Sequence, residues 1–364
     1  QQGRRTWHSR CCIVGYATPI FTWSRMNGAL LNTLLSLESC TTLSHLKIIH
    51  AHLIRAHTIF DVFAASCLIS ISIDKNLLDY AAQVFYQIQN PNIFIYNSFI
   101  RGFSGSKDPD KSFHFYVQSK RNGLVPDNLT YPFLVKACTQ NGSLDMGIQA
   151  HGQIIRHGFD NDVYVQNSLV TMYSTLGDVT SARKLFDKMP EKNLVTWSVM
   201  ISGYAKNSFF DKAIELYFLL QSEGVQANET VMVSVIASCA HLGALELGER
   251  AHDYILRNKM TVNLILGTAL VDMYARCGSI DKAIWVFDQL PGRDALSWTT
   301  LIAGFAMHGY AKKALEYFSR MEKAGLTPRE ITFTAVLSAC SHGGLVERGL
   351  KLFESMKRDY RIEP

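Results

Sequence analysis

Several signals that mark particular protein classes are missing from this chain of 364 residues. No run of about eighteen apolar residues occurs, so we expect no membrane span. The sequence has no CxxC pair, no Walker motif and no dinucleotide-binding glycine loop, and these absences disfavour a redox dithiol, a zinc site or a nucleotide-dependent enzyme. We therefore expect no catalytic residues, no metal and no cofactor.

Acidic residues are also missing from the start of the chain. None precedes Glu38, whereas four arginines lie in the same stretch. An arginine-rich, acid-poor start is typical of an organelle transit peptide, and the alternative is an arbitrary basic tail. We predict a basic tail or transit-like segment over residues 1–29. The net charge of the whole chain is +5, which suits a polyanionic partner without requiring one.

A spacing of 101 residues organises the rest of the chain. Tyr96, Trp197 and Trp298 lie on this period, and other residue types repeat it. Chance does not place several residue types on one period, so the chain is a tandem array that stacks into a solenoid. The period also contains cysteines. Because stacked helices lie about 8–10 Å apart, cysteines that are three helix pairs apart lie far beyond disulfide distance. We predict that they are small buried helix residues: Cys40, Cys138, Cys239 and Cys340.

Each 101-residue block divides into subunits of 35, 35 and 31 residues, as in 194–228, 229–263 and 264–294. Within a subunit, apolar residues recur at helical spacing, polar or glycine residues interrupt them, and a second helical pattern follows. We name the two helices of a subunit helix A and helix B. The predicted fold is all-α, a right-handed solenoid of helix–turn–helix pairs with helix A on the concave side.

These features resemble the pentatricopeptide repeat family, in particular its plant PLS subfamily, in which P, L and S motifs alternate. The matching segments include YNSFIRGF (96–103), WSVMISGYAKN (197–207) and WTTLIAGFAMHG (298–309). On this resemblance, residues 30–364 hold ten tandem motifs in the order L-S-P-L-S-P-L-S-P-L. Their predicted bounds are 30–61, 62–92, 93–127, 128–162, 163–193, 194–228, 229–263, 264–294, 295–329 and 330–364.

The fifth residue of each P and S motif varies between small polar types, whereas in the P motifs the residues at positions four and eight stay aromatic and isoleucine. The last residue of nearly every motif is Asp or Asn, which suits the N-cap of the next helix A. The resemblance implies that the fifth and last residues together select one RNA base. The candidate RNA-binding residues are Ser66, Asn92, Asn97, Asp127, Asn167, Asn193, Ser198, Asn228, Thr268, Asp294 and Thr299.

The second residue of each motif is expected to supply an apolar wall for the base. These residues are Phe63, Phe94, Tyr164, Val195, Ile265 and Leu296. In L motifs the fifth residue is mostly apolar, as at Val233, so we expect L motifs to discriminate weakly. With the family code carried over, the predicted target is 5′-A-U-N-Y-A-N-G-N. The last base is left open because Thr299 is paired with Arg329, which departs from the code.

The resemblance implies sequence-specific binding of single-stranded organellar RNA, as a specificity factor for C-to-U editing or other RNA processing. The H-x-E…P-C-x-x-C signature of zinc deaminases is absent, so editing would need editing cofactor proteins and a deaminase in trans, or residues beyond Pro364. We expect a mitochondrial or plastid location and slightly favour the mitochondrion. The alternative function is a helical-repeat scaffold for protein interactions within an RNA-processing complex.

Overall fold

The computed structural model describes residues 42–57, 59 and 61–363. These residues form nineteen α-helices and no strand. The helices are α1 Leu43–Arg55, α2 Val62–Asp74, α3 Leu78–Phe85, α4 Ile93–Ser104, α5 Asp110–Arg121, α6 Thr130–Gln140, α7 Leu144–Arg156, α8 Val163–Thr175, α9 Val179–Lys188, α10 Leu194–Lys206, α11 Phe210–Ser222, α12 Glu229–Leu242, α13 Leu245–Arg257, α14 Leu264–Arg276, α15 Ile280–Asp288, α16 Ala295–Met307, α17 Ala311–Lys323, α18 Glu330–His342 and α19 Val346–Arg358.

Two compact units divide the described chain, one ending at Asp178 and the other beginning at Val179. Within the first unit, the A helices α2, α4, α6 and α8 pack in a row, each against the next. Within the second unit, α10, α12, α14, α16 and α18 do the same. Helices B inside each unit lie against their own helix A and the helix A that follows, as α11 does between α10 and α12 and α5 does between α4 and α6. The division into P, L and S motifs stays a prediction.

An edge-to-face aromatic contact recurs where a predicted S motif precedes a predicted P motif. Phe85 meets Tyr96 with ring centroids 5.4 Å apart and an interplanar angle of 78°. Phe287 meets Trp298 at 4.9 Å and again 78°, and Phe186 meets Trp197 at 5.0 Å and 77°. Such pairs stabilise by about 0.5–1.5 kcal/mol beyond their burial. Nearly the same geometry at three junctions explains why the 101-residue period preserves aromatic residues at these sites.

Glycines on the same period mark close contacts between motifs. A Cβ at Gly147 would overlap the Met172 sulfur, and one at Gly248 would overlap the Met273 sulfur. The glycine therefore leaves space for a methionine from the next helix A. Gly304 in α16 plays a similar part, since a Cβ there would lie 2.5 Å from the Ala275 Cβ.

A histidine in the helix B of two predicted L motifs recurs beside a tyrosine hydroxyl. His252 Nδ1 lies 2.9 Å from the Tyr274 hydroxyl, and His151 Nδ1 lies 2.9 Å from that of Tyr173. Burial lowers the pKa of His252, which favours the neutral imidazole. These side chains are structural members of the packing between motifs.

The three described cysteines of the 101-residue period are buried and free. Cys138, Cys239 and Cys340 each lie in a helix A, as predicted. Cys40 and the predicted tail at 1–29 fall outside the described residues. In the described part of the chain, no group of three or more potential ligands could hold a metal ion, and no helix there has the length and apolarity to span a membrane.

Candidate nucleic-acid interface

The last residue of a predicted motif binds the start of the next helix A. Seven of these residues are N-caps whose side-chain oxygen accepts a backbone N–H of the first turn: Asp61, Asn92, Asp162, Asn193, Asn228, Asn263 and Asp294. Asp127 accepts from the N–H groups of Leu129 and Thr130 at the start of α6. Each such bond satisfies a donor that the helix leaves unpaired. The capping interpretation of these residues is therefore confirmed.

The fifth residues are recessed between their neighbours. Their exposed fractions lie between 4% for Ser66 and 9% for Thr268. In the P motifs the aromatic and aliphatic residues at positions four and eight are buried beside them, as Trp197 at 3% and Ile201 at 0% show. The small polar side chain is thus surrounded by buried apolar side chains, and any partner must reach it through the small part of its surface that stays exposed.

Two of the predicted pairs are joined by hydrogen bonds across 30 residues of sequence. Asn97 Nδ2 donates to Asp127 Oδ1 at 2.9 Å, and Ser198 Oγ contacts Asn228 Oδ1 at 3.3 Å. The structure therefore brings the fifth and last residues of these two motifs together, which places their polar atoms at one spot.

Two other predicted pairs are not joined in this way. Within the described residues no hydrogen bond links Ser66 with Asn92 or Thr268 with Asp294, and the Ser66 hydroxyl donates instead to the Val62 carbonyl. Asn167 lies in the first unit and Asn193 in the second. Asn167 is 9% exposed, and its carbonyl oxygen is buried with no partner in the described chain.

Two threonines that were not predicted from the sequence each contact one of the fifth residues. Thr130 Oγ1 accepts the Asp127 N–H at 3.1 Å and lies 2.7 Å from Asn97 Oδ1. Because a carboxylate accepts and never donates, the Asn97 amide nitrogen must face Asp127, and its oxygen then faces the Thr130 hydroxyl. Thr332 repeats the pattern, lying 2.8 Å from Thr299 Oγ1. The available signal was a hydroxyl at the third position of the following motif.

The second residues form an apolar edge beside the recessed polar sites. Tyr164 is 78% exposed, Val195 56%, Ile265 65% and Leu296 62%, whereas Phe63 and Phe94 are half-buried. Large apolar side chains exposed at one repeating position suit contact with a flat apolar face. They stand one helical turn before the fifth residue on the same helix A.

Positive charge on the A helices is partly paired. Arg101 forms an ion pair with Asp74 at 2.8 Å, and Arg276 pairs with Asp272 at 2.9 Å. Lys136 in the first unit and Lys206 in the second are exposed and make no ion pair within the described residues. These two ammonium groups are accessible to an anionic ligand.

Comparison with known proteins identifies the repeats. The model described as the PPR repeat family matches residues 91–140 and 293–342, and the PPR repeat model matches 167–194, 195–225, 268–294 and 331–360. The chain belongs to the pentatricopeptide repeat (PPR) family. The matched PPR models describe repeats and not a catalytic domain.

Curated PPR relatives come from Arabidopsis thaliana. The pentatricopeptide repeat-containing protein At5g06540 is 52% identical over 90% of this chain and 59% of its own length. A putative PPR protein named mitochondrial is 37% identical over 90% of this chain and 54% of its own length, and the chloroplastic protein CRR2 is 37% identical over 89% and 50%. The chain thus spans between half and three fifths of these relatives.

Solved PPR structures share the fold. PPR10 from maize matches with a TM-score of 0.70 and 16% identity, over 90% of this chain and 48% of that protein. PPR10 in complex with an 18-nt psaJ RNA element matches with a TM-score of 0.73 and 15% identity, over 90% and 50%. The predicted all-α solenoid of helix pairs is confirmed by this likeness.

Proposed function

We propose that this chain binds single-stranded RNA sequence-specifically, with one nucleotide at each motif. The observation that carries the proposal is the hydrogen-bonded contact of fifth and last residues, Asn97 with Asp127 and Ser198 with Asn228. Membership of the PPR family supports it, as does the fold shared with PPR10, which has been solved with an RNA element. This function is binding, and it requires no catalytic group.

The geometry suggests how one base would be held. An unstacked base can lie against an exposed apolar side chain such as Val195, which stands one turn from Ser198 on α10. Its polar edge would then meet the recessed hydroxyl of Ser198 and the amide of Asn228. Single-stranded bases expose their hydrogen-bonding edges, so small polar side chains can tell them apart. Lys136 and Lys206 are candidates for phosphate contacts.

A gel-shift titration tests sequence recognition. The predicted target is 5′-A-U-N-Y-A-N-G-N. The matched control exchanges its A and G residues, which keeps the length and the number of purines unchanged. We expect the first RNA to bind about a hundredfold more tightly or better, since three positions are mismatched in the control and each mismatched hydrogen-bonding edge typically costs about 1–3 kcal/mol. Equal affinities for the two RNAs would refute sequence-specific binding.

We further propose that the chain acts in an organelle as a specificity factor for C-to-U editing or another RNA-processing step. Relatives named mitochondrial and chloroplastic support an organellar location. A deaminase and editing cofactor proteins would act in trans. Crosslinking in purified mitochondria and plastids, followed by RNA sequencing, tests this proposal, and recovery of RNA from neither organelle would contradict it.

The L motifs favour a second role as a protein-interaction scaffold. On α7, Ile148 and Ile155 lie seven residues apart on one helical face and are 51% and 55% exposed. On α13, Leu256 is 54% exposed. Exposed aliphatic side chains of this kind suit a protein partner better than an RNA phosphate backbone. Affinity purification with I148K/I155K beside the wild-type chain would test whether these residues retain processing proteins.

A further inference from the structure

The last residue of an L motif is engaged twice in the two L motifs that the structure describes in full. Asp162 uses Oδ1 to cap α8, accepting from Tyr164 N and Val165 N. Its Oδ2 accepts a hydrogen bond from Asn128 Nδ2 at 3.1 Å. Asn128 is the first residue of the same motif, so a hydrogen bond joins the first and last residues of the motif.

The other described L motif repeats this closure with different residues. Asn263 Oδ1 caps α14 by accepting from Leu266 N at 3.0 Å. Its Nδ2 donates to Glu229 Oε1 at 2.7 Å, and Glu229 is the first residue of the motif. Donor and acceptor are exchanged between the two cases, yet the positions are the same. The contact therefore belongs to the motif and not to one residue pair.

P and S motifs lack the partner for this contact. Their first residues are apolar and cannot hydrogen-bond through the side chain: Val62, Ile93, Val163, Leu194, Leu264 and Ala295. Asn228 and Asp294 use Oδ1 as the cap. Their second polar atoms, Nδ2 and Oδ2, make no hydrogen bond within the described part of the chain.

We propose that the first residue of the L motifs at 128–162 and 229–263 determines specificity by acting as a latch. Its side chain holds the last residue of the motif in a hydrogen bond and so prevents that motif from selecting a base. The latch occupies the one polar atom of the last residue that capping leaves over, so a base would have to break a hydrogen bond to reach it. The inference rests on the proposed one-base-per-motif binding. It adds a second barrier to reading, independent of the apolar fifth residue Val233.

Converting the L motif 229–263 into a reading motif tests the latch. V233S supplies the missing polar fifth residue, and E229L/V233S also removes the latch by introducing the residue type of Leu194 and Leu264. The new serine would then pair with Asn263 as Ser198 pairs with Asn228, a combination predicted to select A. We expect E229L/V233S to prefer A at nucleotide 6 of the target roughly fivefold over the other three bases, a typical effect of one hydrogen bond.

V233S alone should remain indifferent at nucleotide 6 because Glu229 still holds Asn263. E229Q/V233S is the matched control, since glutamine keeps the acceptor oxygen, removes the charge and should also stay indifferent. Far-UV circular dichroism verifies that each variant folds. Equal preference for A in V233S and E229L/V233S would overturn the latch, as would no preference in E229L/V233S. A wild-type chain without preference at nucleotide 5, where Ser198 acts, would instead overturn the base-reading proposal itself.

Discussion

Replacing Gly304 by alanine should destabilise the second unit, against the usual gain from removing a helical glycine. Gly304 lies inside α16, where Gly to Ala ordinarily stabilises by about 1 kcal/mol. The added Cβ would lie 2.5 Å from the Ala275 Cβ in α14, whereas nonbonded carbons prefer about 3.5–4.0 Å. Ala275 has no flexible side chain that could move aside, so the helices must separate by about 1 Å to restore that distance.

Overpacking of this kind costs about 1–3 kcal/mol. Its upper half applies here because the obstructing atom is fixed to a backbone. After subtraction of the propensity gain, G304A should lower the free energy of unfolding by about 1–2 kcal/mol. The reciprocal swap A275G/G304A puts one methyl group back between the helices, and its stability should return close to that of wild type.

Urea denaturation followed by far-UV circular dichroism measures these changes. G152A is the matched control, since Gly152 lies inside α7 and a Cβ there would meet nothing within 4 Å. That variant should gain about 0.5–1 kcal/mol. If G304A stabilised the protein as G152A does, or if A275G and G304A were additive in their effects, the inferred close approach of α14 and α16 would be wrong.

Three further predictions concern charge and base selection. Burial lowers the folded-state pKa of His252 below the unfolded value near 6.5, so stability should fall as pH drops through about 6.5 and level off below the folded pKa. The urea midpoints at pH 7.5 and pH 5.5 should therefore differ less in H252Q than in wild type. An unchanged difference would contradict the claim that His252 is buried in its neutral form. Log affinity for RNA should fall with log salt, and K206A should make that slope shallower by about 0.7, the value for one phosphate contact on a single strand; a slope equal to wild type would remove Lys206 from the interface. S198N/N228D should move the preference at nucleotide 5 from A to U in a four-base gel-shift comparison, and retained preference for A would show that these two residues do not select the base.

Repetition within the chain allowed much of the fold to be predicted. Tyr96, Trp197 and Trp298 recur because each meets a phenylalanine edge-to-face, so the 101-residue period is itself the trace of a packing contact. Asp and Asn at motif ends predicted where helices start, since a capping side chain accepts a hydrogen bond from a backbone N–H only two or three residues further along the chain. Both inferences use interactions that leave a direct mark in spacing.

The hydrogen bonds around the candidate site were harder to predict. Thr130 approaches Asn97 from the following motif, and Asn128 meets Asp162 across 34 residues. These contacts depend on how far each motif advances along the row of A helices, which periodicity alone does not specify. Thr130 also has no counterpart after Ser198, where Val231 stands, so comparison between repeats makes it resemble ordinary variation.

Capping leaves one side-chain atom of Asn228 and of Asp294 for the proposed base selection. Oδ1 takes the backbone N–H in both Asn228 and Asp294. The side-chain atom that capping leaves over is an amide donor in Asn228 and a carboxylate acceptor in Asp294. Whether the motif ends in Asn or Asp therefore decides whether that atom donates or accepts a hydrogen bond. Arg329 shows the limit of this arrangement. Its guanidinium carries no acceptor for capping, and its backbone N–H donates to Thr332 Oγ1 at 3.1 Å. Under the proposed base reading, the motif that ends at Arg329 would offer a base a positively charged donor, whereas Asn and Asp offer an amide donor or a carboxylate acceptor.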